Sequence, residues 1–510
     1  MLAKVFTATL IGLEAKIIEI EVDIAQGERN INIVGLADKA VRESKDRILS
    51  AFRNNGITLG SGRKIVSLAP SDIPKIGTAY DLPMAVGLLL ASGEIQKFDP
   101  AGKLFFGELS LTGNLRSVRG LLALVDSAKR QGFRQFFVPE ENAKEATLVK
   151  DAEIFGVRDM RSLLEHFSGK SLSAALPCSL TREGELQNHE NDFANIRGQH
   201  RAKRALEVAA AGGHNILFCG VPGSGKTYMA KAFSGILPEM TTKESLEVTR
   251  IYSLAGNIKS GSPLIRSRPF RDPHHTITQS ALVGGGSFPK PGEVTLAHRG
   301  VLFLDELPEF DLRSLEVLRQ PMEDKKVSVS RARSTLTFPA NFQLIAAMNP
   351  CKCGYFGDND KACKCSENER RRYLKRISGP IIDRIDMFIE VHKLESKYLN
   401  CDERRENSHT IAKRVQAARE IQLKRFMEIL DYQCNADILQ ENSSELIKAT
   451  IEAKALLVNA ITKLSLSARG FFNTLKVART IADLEKSEYV EIAHMQEALS
   501  YRGGSVFLEQ

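Results

Sequence analysis

The sequence predicts an α/β multidomain protein, and three observations carry that expectation. Strand-like and helix-like patterns alternate through residues 1–167 and again through 193–393, a polar stretch without period at 168–192 separates the two, and 394–510 repeats only at the 3.6-residue period of helices. At 510 residues the chain exceeds what one core organises, since domains run to roughly 100–200 residues. It is 43% hydrophobic and 26% charged, and no apolar run nears the ~20 residues of a membrane span. The N-terminus lacks the basic flank, unbroken apolar run and cleavage site of a secretion signal, so a cytoplasmic location is expected. Eight cysteines, four of them within Cys351–Cys365, do not make a disulfide scaffold. A net charge of +8 suits a polyanionic partner without requiring one.

In chain order, "MLAKVFTATLIGLEAKIIEIEVDIAQG" alternates apolar and polar residues and predicts a strand pair. "LADKAVRESKDRILSAF" places Leu36, Ala40, Val41, Ile48 and Phe52 on one helical face, while "RKIVSLAP" and "FRQFFVP" read as short buried strands. These make residues 1–167 one α/β domain, followed by a linker over 168–192. The next domain, 193–393, opens with the helix "GQHRAKRALEVAAAGG" and continues through the strands "NILFCG", "GVLFLDE", "FQLIAAMNP" and "RIDMFIEV", a parallel sheet with covering helices. Four amphipathic segments then predict a helical C-terminal domain over 394–510.

"GVPGSGKT", Gly220–Thr227, fits the phosphate-loop pattern and lies between a predicted strand and helix, where that loop works. Gly220, Pro222, Gly223, Ser224 and Gly225 would shape the turn so that backbone N–H groups face phosphates; Lys226 adds a cation and Thr227 a hydroxyl for Mg²⁺. The strand "GVLFLDE" delivers Asp305 to the Mg²⁺ shell and Glu306 to the attacking water. Asn349, at the end of "FQLIAAMN", offers an amide to γ-phosphate and water. His274 and His275 look like a pair, yet adjacent residues on an extended segment face opposite ways, which predicts separate structural hydrogen bonds.

After Glu323, "DKKVSVSRARSTLTF" predicts a β-hairpin carrying Lys325, Lys326, Arg331 and Arg333, cations that could hold phosphates without reading sequence. Cys351-x-Cys353 and Cys363-x-Cys365 can supply the four thiolates of a tetrahedral zinc, and the loop runs on into the basic "ENERRRYLKR".

"GVPGSGKT", "RPFRDPHHTIT", "GGGSFPKPGEVTLAHRGVLFLDELPEF", "AAMNPCKCGYFGD", "ISGPIIDRID" and "SARGFFNTLKVARTIADLE" together resemble the ComM/YifB branch of the Mg-chelatase-like AAA+ ATPases, over nearly the whole chain. The resemblance implies an AAA+ P-loop NTPase core, a C-terminal helical lid, and ATP with Mg²⁺ as cofactors. It makes Asn349 the sensor-1 residue, Arg384 an arginine finger acting on a neighbouring subunit, and Arg469 sensor 2, with Arg479 as its substitute. A finger supplied in trans implies a ring, and the family implies a homohexameric DNA motor, a helicase and branch-migration enzyme promoting integration of DNA in natural transformation and recombination. The alternative it carries is a chelatase-like subunit that remodels a partner protein.

The N-terminal domain resembles the Lon-protease-like, S5-type fold through "PKIGTAYDLPMAVGLL" and "GELSLTGNLRSVRGLLALVDSAKRQGF". Matching those motifs puts Ala79 at the position of the Lon serine and Leu122 at that of its lysine, and neither can attack or accept a proton. The expectation is a domain without peptidase activity.

Overall fold

The computed structural model describes residues 2–28, 30–96, 98–169, 174–176, 191–258, 263–286, 290–331, 334–358, 360–393, 405–427, 432–464 and 466–502. The chain divides into two compact units, one of Met1–Glu183 with Thr242–Ile265, the other of Gly184–Thr241 with Arg266–Gln510. The expected linker lies mostly outside the described residues. The stretch 193–393, expected as one continuous domain, is interrupted: Thr242–Ile265 belongs with the N-terminal unit.

In the N-terminal unit the predicted strand pair forms as Ala3–Ile11 against Glu14–Ala25, antiparallel, with Val5 opposite Ile20. Arg63–Ala69 adds antiparallel to the second strand and Asn30–Val34 pairs parallel to Arg63–Ala69, giving four strands. The helix Lys39–Asn54 starts at the Asp38 cap, which accepts from Val41 N, and buries Val41, Ser44, Ile48, Ala51 and Phe52. Leu36 falls outside it, exposed, at φ 45°. The helix Asp81–Ser92 is buried almost all round, as its unbroken apolar sequence requires. A second, parallel sheet joins Lys103–Phe105, Gln135–Pro139 and Glu153–Val157.

The helix Thr242–Ala255 packs Leu246 against the core around Leu121 and Phe136, buries Val248 and Ile251, and adds polar contacts to the same unit. Arg250 pairs with Asp126 at 2.8 Å, the Ser253 hydroxyl donates to Glu145, and Gly120 N donates to Ser253 O at 3.0 Å. At the two positions matched to the Lon dyad, Ala79 O accepts from Gly107 N at 3.1 Å, and Leu122 is sealed in the core with Leu121, Val125 and Phe136. Thr78 donates to Glu108, a carboxylate the sequence did not point to.

The second unit is built on a five-stranded, wholly parallel sheet in the order Phe270–Arg271, Val301–Leu304, Gln343–Met348, Ile216–Gly220, Met387–Val391. Val301–Leu304 and Gln343–Met348 are buried at every position, which explains their continuous apolar runs. Phe218, Phe303 and Ile345 pack with Ala205, Ala209, Phe233 and the C-terminal helices in one core. Each large apolar side chain so buried contributes about 1.5–3 kcal/mol. The hairpin forms as Lys326–Arg331 against Ser334–Pro339. Four helices, Ser408–Arg425, Ile451–Lys463, Ala468–Leu484 and Ile492–Ser500, make up most of the C-terminal part. Among the described residues no helix is long and apolar enough to cross a membrane.

Candidate functional site

Parallel pairing fixes the site. Cys219 is opposite Met348 and Leu304 opposite Ala346, so Gly220, Asp305 and Asn349 emerge at the same edge of the sheet. At Gly220 a side chain has no room, because a Cβ would stand 2.2 Å from Val391 O. Gly223 and Gly225 take φ values of 76° and 90°, and the helix Lys226–Phe233 begins directly after them.

Lys226 Nζ turns back over the loop, donating to Gly220 O at 2.6 Å, Val221 O at 3.0 Å and Asn349 Oδ1 at 3.2 Å. Burial lowers its pKa and the nearby Asp305 carboxylate opposes that, which keeps a cation in a largely desolvated place. Thr227 Oγ1 donates to Asp305 Oδ2 at 2.7 Å, so the two groups expected to share Mg²⁺ already meet. Asp305 Oδ1 accepts from the Glu306 N–H at 2.9 Å, and Glu306 sits at φ 53°, a left-handed turn that lifts its carboxylate off the strand end. Lys226, Thr227, Asp305, Glu306 and Asn349 thus form one constellation. It can bind phosphates, hold a divalent cation through Thr227 and Asp305, and take a proton from water at the Glu306 carboxylate.

The histidines correct the sequence expectation. Their rings do not face opposite ways: the centroids are 4.1 Å apart, and His275 Nδ1 lies 3.3 Å from Glu306 Oε2. His274 bonds Thr276 Oγ1 at 2.9 Å. The strand Phe270–Arg271, paired beside Val301–Leu304, carries the chain to this edge, a placement that period and spacing do not reveal.

Arg384 and Arg469 form a separate cluster. Arg384 Nη2 is 2.7 Å from Glu323 Oε1, and Arg469 reaches the same oxygen from the first turn of its helix. Burial alone would raise the Glu323 carboxyl, and the two guanidiniums hold it below the usual range instead. Neither Asp383 nor Asp386 is the Arg384 partner; Asp383 instead accepts from Ser467 Oγ at 3.0 Å. Arg479, the substitute for Arg469, is 1% exposed and committed to Asp483 at 2.9 Å and to the Glu488 carbonyl at 2.7 Å, so it serves the helical core.

Of the hairpin cations, Lys325 is partly exposed and already paired. It ion-pairs with the buried Asp437, a carboxylate that offsets its charge. Lys326 starts the hairpin; Arg333 and the side chain of Arg331 lie outside the described residues.

The four cysteines converge. Sγ separations are 3.3 Å for Cys351–Cys353, 3.7 Å for Cys351–Cys363 and 3.6 Å for Cys353–Cys363, and with Cys365 all four sulfurs lie within 4.8 Å of one another. Disulfide bonding requires about 2.05 Å, whereas a tetrahedron with Zn–S bonds near 2.3 Å spaces its sulfurs about 3.8 Å apart. The residues fit a zinc-type cation. Beyond them the Ser366 capping box starts the helix Glu367–Leu374, and Arg370 stacks on the half-exposed Phe356 ring at 4.0 Å.

The family described as magnesium chelatase, subunit ChlI, matches residues 192–399; two further matches, to subunit ChlI of Mg-chelatase and to its C-terminal part, cover 20–142 and 405–502. The chain is 39% identical to competence protein ComM of Haemophilus influenzae over 505 residues, 98% of this chain and 97% of the relative. It is 40% identical to the protein YifB of Salmonella typhimurium over 502 residues, with the same shares of 98% and 97%. A Lon protease of Citrifermentans bemidjiense is 28% identical over 160 residues, 29% of this chain and 20% of that protein. The chain therefore belongs to the ComM/YifB family of Mg-chelatase-like AAA+ ATPases.

Proposed function

We propose that the protein is an ATP-driven motor acting on single-stranded or branched DNA, working as a homohexameric ring in competence-related recombination. The observation that carries this reading is the charge of the excursion that leaves the Asn349 strand: residues 351–376 hold eight Lys and Arg against four Asp and Glu, half of the chain's net charge of +8. That excursion follows directly on a residue of the nucleotide constellation, so a change at the γ-phosphate can alter the grip on a polyanion. Similarity to a competence protein over 98% of the chain supports the biological setting.

In this reading the phosphate loop and Lys226 bind the β- and γ-phosphates, Thr227 and Asp305 hold Mg²⁺, and Asn349 orients the water that Glu306 deprotonates. Arg384 stabilises charge on the transferring phosphoryl group of a neighbour, with Arg469 as the lid arginine. Mg²⁺ neutralises developing charge on the phosphates when bound. The cysteines hold zinc. The N-terminal domain, with Ala79 and Leu122 at the dyad positions, is a binding platform rather than a peptidase.

Remodelling of a partner protein is the second reading, favoured by the match of residues 192–399 to a magnesium chelatase subunit. ATP turnover measured with and without single-stranded and forked DNA separates the two. A several-fold stimulation is expected; turnover indifferent to DNA, with no strand displacement, selects the remodeller.

A further inference from the structure

Gly354 is the residue at which the cysteine knuckle meets the nucleotide site. It follows Cys353, has φ 86°, and its N–H donates to Cys351 O at 3.0 Å, closing a tight turn. A Cβ built on it would stand 2.7 Å from Cγ and 2.9 Å from Cδ of Pro222, and 4.0 Å from Cγ of Asn349. The backbone at Gly354 is therefore in direct contact with the proline ring of the phosphate loop and beside the residue that bonds Lys226. Cys351 itself is fully buried, two residues after Asn349.

We propose that this knuckle is a clamp on the phosphate loop: Gly354 is a positioning residue for Pro222 and Asn349, and a zinc-type cation on Cys351, Cys353, Cys363 and Cys365 is its fastener. The proposal rests on reading the cysteines as a metal site. Four unlinked thiols leave the loop between Cys351 and Cys365 many conformations, whereas four bonds to one ion fix both ends of it. A fixed Gly354 leaves the Pro222 ring one place to lie, and the backbone N–H groups beyond Pro222 inherit that placement. Nucleotide affinity should then depend on the metal although no cysteine belongs to the phosphate-binding constellation.

The test uses the full-length protein, with zinc content from elemental mass spectrometry and affinity for trinitrophenyl-ATP from fluorescence. About one zinc per chain is expected. Extraction with a mercurial and chelator should weaken nucleotide binding by roughly tenfold or more, the size typical of lost support around a site, and added Zn²⁺ should restore it. Gly354→Ala should keep its zinc yet lose affinity in the same direction, and adding Pro222→Ala should recover much of the loss by vacating the space. Gly357→Ala controls for backbone strain: Gly357 has φ 79° but nothing within 4 Å of a built Cβ, so that variant should bind like wild type. Unchanged affinity in zinc-bearing Gly354→Ala, or equal loss in Gly357→Ala, overturns the clamp. Unchanged affinity after zinc extraction overturns the fastener. A chain that neither carries nor takes up zinc removes the metal reading alone, and the Gly354 variants still decide the contact.

Discussion

Arg384 is held 2.7 Å from Glu323 of its own chain, and its side chain is only 10% exposed. In the proposed ring, an arginine that serves a neighbour's nucleotide must leave that carboxylate when subunits meet, so this pair would be the finger at rest. Arg384→Ala should bind ATP normally but turn it over about 10³-fold more slowly, the low end of what such cations supply. Mixing it with Lys226→Ala subunits should restore activity at mixed interfaces. Mixtures as slow as Arg384→Ala alone would place the residue's work within its own chain.

Lys226 and Glu306 belong to one constellation but separate binding from chemistry. Lys226→Ala removes the cation that crosses the loop to Asn349 and should abolish nucleotide binding. Glu306→Gln keeps shape and hydrogen-bonding capacity but cannot take a proton, so it should bind ATP like wild type while turnover falls by roughly 10²–10⁴. The two measurements are equilibrium binding and steady-state phosphate release; a Glu306→Gln protein that hydrolyses at the wild-type rate would sink the assignment.

His275 shows where sequence reading stops. The phosphate loop, the Asp305–Glu306 strand end and Asn349 were legible because each motif lies at the end of an apolar strand, and parallel pairing then sends all three to one edge. The five-stranded sheet was legible for the same reason. The Glu306–His275 contact was not, since it depends on how the two-residue strand Phe270–Arg271 aligns beside Val301–Leu304, a register with no periodic signal. The Lys325–Asp437 pair was not legible for a related reason: the partners are 112 residues apart, and a charged hairpin flank looks the same in sequence whether or not it is paired. The excursion Thr242–Ile265 was not legible either, because its apolar residues, Leu246 and Leu264 among them, complete a core built mainly from residues 1–167, and nothing local to them says which core they join.

At the Glu306–His275 contact, Nδ1 can donate to Oε2 and hold the carboxylate in one rotamer. His275→Ala should therefore lower kcat about tenfold or more with little change in nucleotide affinity, while His275→Asn, whose amide N–H lies near the Nδ1 position, should recover most of the rate. In a Glu306→Gln background His275→Ala should cost nothing further. An additive loss in that double variant would separate His275 from the carboxylate.

The cations divide by what they already touch. Lys325 is paired with an Asp437 that is only 6% exposed, so Lys325→Ala leaves a buried carboxylate without its cation and should cost about 1–3 kcal/mol of stability, seen in chemical denaturation. It should alter the salt dependence of DNA binding little, because a lysine already neutralised by a carboxylate of its own chain releases few counterions. Lys326, Arg331 and Arg333 of the stretch expected as a hairpin, and Arg370, Arg371 and Lys375 beyond the knuckle, are the cations that the motor reading sets against phosphates. Replacing either trio with Ala should flatten the dependence of log K on log salt by roughly 0.7–0.9 for each phosphate no longer neutralised, while basal ATP turnover stays as it was. Titration of single-stranded DNA across a range of salt measures that slope directly. If both trios leave it unchanged and the wild-type protein displaces no strand from forked DNA with ATP and Mg²⁺, then the basic excursion is a solvated surface and the partner-protein reading takes over.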